Sequence, residues 1–123
     1  MDEFPRALDR VRSVPVRPEF RLEEGHAPQR LAPFAAAITA DWQGADDAAG
    51  GRFVLLHDPD GVDEWDGTFR AVVFVRAQLE ADLINDPMLH DVGWSWLLDA
   101  IDAAHAEVTQ LGGTVTSTAG RSF

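Results

Sequence analysis

No cysteine, lysine or tyrosine occurs among the 123 residues of this chain. Without cysteine there is no disulfide, no thiolate nucleophile and no cysteine-ligated metal. All ten cationic residues are arginine, set against 21 carboxylates, for a formal charge of -11. Such a surface repels phosphate, which disfavours direct nucleic-acid binding and attachment to an anionic membrane. It suits solubility or a basic partner. No apolar run reaches membrane-spanning length and no basic-then-apolar leader opens the chain, so a soluble cytoplasmic protein is expected. Abundant Ala, Asp, Gly and Arg with no Lys point to a GC-rich coding background, with a halophile as the minor alternative.

The usual motifs of catalysis are missing as well. There is no Walker loop and no G-x-G-x-x-G, and Gly50-Gly51 before a strand is not a phosphate cradle. His26, His57, His90 and His105 lack the spacing of a metal site, so neither a metal nor a cofactor is implied. Ser95 sits in Gly93-Trp94-Ser95-Trp96-Leu97, inside a helical pattern and without the second glycine of a nucleophile elbow, which excludes a serine hydrolase of that type. Composition and pattern specify an acidic folded domain but no activity.

What is present reads as one domain over residues 1–123, with 46% hydrophobic residues to build a core. Asp2 is placed to cap a first helix, whose apolar stripe is Phe4, Ala7, Leu8 and Val11 until Pro15 and Pro18 break it. Phe20 and Leu22 alternate with charged neighbours, predicting a half-buried strand over residues 17–24 that turns at Gly25. Leu31, Phe34, Ala35, Ile38 and Trp42 share a face at helical spacing, predicting a second helix. Residues 43–51 form a small, acidic, glycine-ended loop, expected to be mobile.

The chain is organised around a hairpin. Its arms are residues 52–57 and 68–76, joined by a loop of residues 58–67 that holds five acids and no base. Ala71, Val73, Val75, Ala77 and Leu79 line one side of the second arm, with Val72 and Phe74 on the other. A strand apolar on both sides is expected at the centre of a sheet. Asp91 caps a last helix with Trp94, Leu97, Leu98, Ile101, His105 and Val108 buried, ended by Gly112-Gly113, and residues 114–118 return to the sheet as a strand. The order is α-β-α-β-β-α-β. It predicts an α+β fold with a mostly antiparallel sheet of about four strands and helices packed on one face.

Several side chains are candidates for function. Asp58, Asp60, Asp63, Glu64 and Asp66 could offer oxygens to a hard cation, but Pro59, Val62 and the early Gly61 break the EF-hand pattern and favour a solvated turn. Trp65 reads either as a lid on the core or as an exposed anchor for a partner. His57 beside Asp58 could serve acid–base chemistry, whereas His105, on an apolar stripe, reads as a packed core residue. Arg30, Arg70 and Arg76 pair with carboxylates across the sheet in the plainer reading and line an anion pocket in the other.

Five phrases carry a resemblance: Ala27-Pro-Gln-Arg-Leu-Ala-Pro33, Gly51-Arg-Phe-Val-Leu-Leu-His-Asp-Pro59, Trp65-Asp-Gly-Thr-Phe-Arg70, Gly93-Trp-Ser-Trp-Leu97 and Gly113-Thr-Val-Thr116. Together they resemble the actinobacterial proteins grouped as domain of unknown function 3000, over nearly the whole chain. The resemblance implies the GC-rich background rather than the halophile. It also implies that family members run on past the last strand, which makes a chain ending at Phe123 short at its C-terminus. It implies no reaction, ligand or catalytic residue.

The expectation is a cytoplasmic domain that binds another protein rather than catalysing a reaction. Its candidate surface is Asp58, Asp60, Trp65, Asp66 and Arg70 with Trp94 and Trp96. The rival is a small-molecule enzyme or sensor with a cleft of Arg30, His57, Asp58, Arg70 and Arg76. A third reading is an acidic mimic of nucleic acid that fills a basic groove.

Overall fold

The structure is a computed structural model and describes residues 3–27, 30–44 and 49–119. The Asp2 cap and residues 45–48 of the expected mobile loop lie outside the described residues. The chain divides into two units, Met1–Gln78 and Leu79–Phe123.

The first unit runs α1 (Glu3–Arg12), β1 (Phe20–Gly25), β2 (Phe34–Trp42), β3 (Ala49–Val62) and β4 (Gly67–Ala77). The strands form one antiparallel sheet in the order β1-β2-β3-β4. The class is therefore α+β, a four-stranded antiparallel sheet with helices, but the element order is not the expected one. The predicted second helix is strand β2. Phe34, Ile38 and Trp42 are spaced by four, a spacing that serves one face of a helix and one face of a strand equally. Alanine favours helix in isolation. Pairing with β1 on one edge and β3 on the other overrides that preference.

Register assigns side chains to faces. Phe34, His57 and Phe69 stand in line across β2, β3 and β4, as do Ile38, Phe53 and Val73. Helix α1 covers this face: Phe4, buried, stacks on Phe34 with ring centroids 5.5 Å apart. At its other end Arg12 forms a two-pronged ion pair with Glu24 of β1, with Nη2 2.9 Å from Oε2. The opposite face holds a buried cluster, Ala37, Val54 and Leu56, with Ala27, Ala32, Ala35 and Trp65 packed against it. The sheet thus has apolar cover on both sides in its middle.

The predicted acidic loop is mostly strand. β3 runs on to Val62, with a register break between His57 and Val62 before the ladder resumes at Val62 and Gly67. Pro59 sits in this break, where its missing N–H costs no ladder bond. Asp58 Oδ1 accepts the backbone N–H of Asp60 at 3.0 Å, and Gly61 takes a φ of 81°. The reversal itself is one 3-10 turn, Asp63–Trp65, closed by Asp66 in the left-handed region. β4, expected at the centre, is an outer strand.

The second unit holds α2 (Ala81–Ile84) and α3 (Leu89–Ala103). α3 stops well short of Gly112-Gly113. His105 adopts a φ of 52°, its N–H bonds the Asp102 carbonyl, and the Ala106 N–H bonds that of Ile101. That is a Schellman end with histidine in the glycine position. His105 is therefore exposed, not packed in a stripe. The expected last strand is also absent: residues 111–119 have no regular structure. They run back along the start of α3 instead, with Val115 against Gly93 and Ser117 Oγ 2.9 Å from His90 Nε2. Gly113 lies flat on the Trp94 indole, where a Cβ would come within 2.8 Å of Cζ3.

Candidate functional site

His57 is the most enclosed polar side chain described, 2% exposed. β3 places it on the α1 side, and its ring stacks on Phe69 of β4 with centroids 4.0 Å apart. Phe4 and Phe34 stand at 6.2 and 5.9 Å on its other sides. Nδ1 lies 2.9 Å from the Thr68 carbonyl oxygen. A carbonyl only accepts, so Nδ1 carries the hydrogen. Nε2 then faces Glu3 Oε2 at 3.4 Å, an ion pair only when the ring holds its second proton. Glu3, Phe4, Phe34, His57 and Pro59 line a cavity of about 110 Å³ beside the ring. Glu3, Phe4 and Phe34 were not legible as neighbours of His57: the packing of α1 onto the sheet brings the first two, and the pairing of β2 with β3 brings Phe34.

The arginines do not gather around His57. Arg70 stands opposite Leu56 and Arg76 opposite Gly50, so register points both to the face away from His57. Nor, among the described residues, do Arg70 and Arg76 meet the cross-strand carboxylates expected of them. Arg76 Nη2 lies over Gly50, with Asp41 on the far side of that glycine. Among the described residues neither Arg70 nor Arg76 has a carboxylate oxygen within 4.0 Å. Arg30 is exposed in the connection between β1 and β2, with a φ of 72°.

The acidic turn presents Asp60, Asp63, Glu64 and Asp66 to solvent, with Asp58 half-buried. Among the described residues no three His, Asp or Glu side chains are arranged to hold a metal ion. Trp65 is half-buried on Ala37, Val54 and Leu56, so it anchors the turn to the core. In the second unit Trp94 is half-buried under Gly113, while Trp96 is 57% exposed.

Beyond the turn lies a feature that the hydrophobic pattern had assigned to the interior. β4 exposes Val72, Val73, Phe74 and Val75 by 39%, 55%, 62% and 73%. Both faces of the strand contribute, and among the described residues its outer edge has no strand partner. The sequence signal was correct for an apolar strand and silent on whether a neighbour would cover it.

The whole chain, residues 1–123, matches the family described as Protein of unknown function (DUF3000). The chain belongs to the DUF3000 family. Membership covers both units and all five phrases of the resemblance, and it supplies no activity. No curated protein and no solved structure matches the chain. Among the described residues of this DUF3000 member, no helix is long and apolar enough to cross a membrane.

Proposed function

We propose that the chain acts by binding another protein, with the outer strand β4 and the acidic turn before it as the docking element. The exposed run of Val72, Val73, Phe74 and Val75 on an outer strand carries this reading. Protein sheets blunt their outer strands with lysine, proline, a bulge or a short length, because an open edge recruits other strands. β4 has eleven residues, no lysine, no proline and no register break within Arg70–Ala77. A strand built that way is suited to being covered. Trp65 supports the element from beneath by fixing the acidic turn to the core, a role in which its indole need not touch the partner.

The rival cleft has less support. It needs His57 together with Arg70 and Arg76, which register sends to opposite faces. The cavity beside His57, about 110 Å³, is well below the roughly 300 Å³ at which small-molecule sites begin.

Site-specific photo-crosslinking tests the proposal. A photoreactive phenylalanine analogue at position 74 is expected to trap a protein in cells, and the same group at Arg10 on the exposed side of α1 is not. Adding Val73→Lys should abolish the adduct while the circular dichroism spectrum stays unchanged. Equal adducts at both positions, or none at position 74, would overturn the proposal.

A further inference from the structure

The buried ring of His57 is held in one tautomer. Its Nδ1 donates to the Thr68 carbonyl oxygen at 2.9 Å, a bond that the neutral and the charged ring make alike. Any change of charge therefore happens at Nε2, which faces Glu3 Oε2 at 3.4 Å. In the neutral ring that nitrogen is an acceptor, and a carboxylate is an acceptor too, so no hydrogen joins them. In the charged ring Nε2 donates, and the two groups attract as ions. The 3.4 Å gap exceeds the roughly 2.8 Å of a charge-assisted bond, which leaves the start of α1 room to close on a protonated ring.

We infer that Glu3 and His57 form a proton-operated clasp, which fastens the start of α1 to the sheet when the ring is charged and slackens it when the ring is neutral. Every group in the clasp belongs to the first unit. β2 brings Phe34 to the ring and β4 brings Phe69, neither of which titrates. On β3 itself, Asp58 turns to the Asp60 backbone N–H, and Arg70 of β4 stands opposite Leu56 on the other face. Along α1 the further charges are Arg6, Asp9, Arg10 and Arg12. Among the described residues Glu3 has the one carboxylate oxygen within 4.0 Å of the ring. His26, the other histidine described in this unit, is exposed between β1 and β2.

Histidine ordinarily changes charge between about pH 5 and 8, where carboxylates and guanidinium groups keep theirs. The second tie of α1, Arg12 to Glu24, stays made across that window, because hydrogen bonding from the guanidinium holds the Glu24 carboxyl below its ordinary value. α1 is thus pinned at its end and switched at its start. The clasp is present below the titration of the ring and is lost as pH rises through it.

Amide hydrogen exchange on the full-length chain, corrected for intrinsic chemistry, tests the clasp between about pH 5 and 8. The reporters are Ala7 and Leu8, one turn into α1. In wild type their protection is expected to be about threefold higher at the acid end, the size that a partly exposed ion pair allows. Its midpoint should follow the His57 ring signals by NMR, not those of His26. Glu3→Ala should flatten the dependence. Glu3→Gln should reverse it, because a carboxamide N–H can donate to the neutral Nε2 and a protonated ring offers that N–H no acceptor. Circular dichroism checks that both variants keep the fold. Wild-type protection that stays level, a midpoint away from the His57 titration, or a Glu3→Ala chain that keeps the wild-type slope overturns the clasp.

Discussion

At the scale of single residues, His57 and His105 are the informative cases. His57 ties three elements together: it sits on β3, bonds the carbonyl at the start of β4 and packs on Phe4 of α1. His57→Ala removes ring packing and leaves the Thr68 carbonyl without its side-chain donor, at a cost of about 3 kcal/mol. His57→Asn can place an amide N–H where Nδ1 stood and should recover about 1 kcal/mol of that loss. Urea denaturation of the three proteins checks this; equal values for Ala and Asn would mean that the bond to Thr68 contributes nothing. His105 is a different matter. Its left-handed backbone is costly for any residue with a Cβ, so His105→Gly should stabilise the chain by about 1 kcal/mol in the same assay.

At the scale of elements, α1 is held to the sheet at two points, Phe4 at its start and Arg12 at its end. Hydrogen bonding from the Arg12 guanidinium holds the Glu24 carboxyl below its ordinary value. The contribution of this pair is present above that ordinary value and is lost as pH falls through the lowered one. Glu24→Gln should therefore melt below wild type at about pH 7, with the two midpoints converging at about pH 2. Both groups are exposed, so the neutral-pH gap will be small, and a gap that widens in acid would refute the assignment. β2 and the chain after α3 show how elements can be misjudged. The helical spacing of Leu31, Phe34, Ala35, Ile38 and Trp42 pointed β2 to a helix, and β-prone Thr114, Val115 and Thr116 pointed to a strand. In each case the deciding factor was which backbone lay alongside.

At the scale of the molecule, charge dominates. With 21 carboxylates against ten arginines, the folded chain concentrates like charge that the unfolded chain can spread apart. Raising NaCl from about 0.02 M to about 0.5 M should screen that repulsion and raise the thermal midpoint. A falling midpoint would show that favourable pairs such as Arg12 with Glu24 outweigh the net repulsion.

Composition, α1, β1, the two arms of the hairpin and the facing of β4 were all legible in the sequence, because each rests on short-range periodicity or on charge count. So was the apolar character of residues 71–75. Tertiary structure alone decided that β2 is a strand, that β4 lies at the rim, that His57 is buried among Phe4, Phe34 and Phe69, and that Arg70 and Arg76 face away from it. Each of these depends on which segment pairs with which across tens of residues. Local side-chain pattern reports the period of a backbone and the apolarity of its faces. It carries no record of the neighbour that will hydrogen-bond the edge, and that neighbour separates a central strand from an outer one.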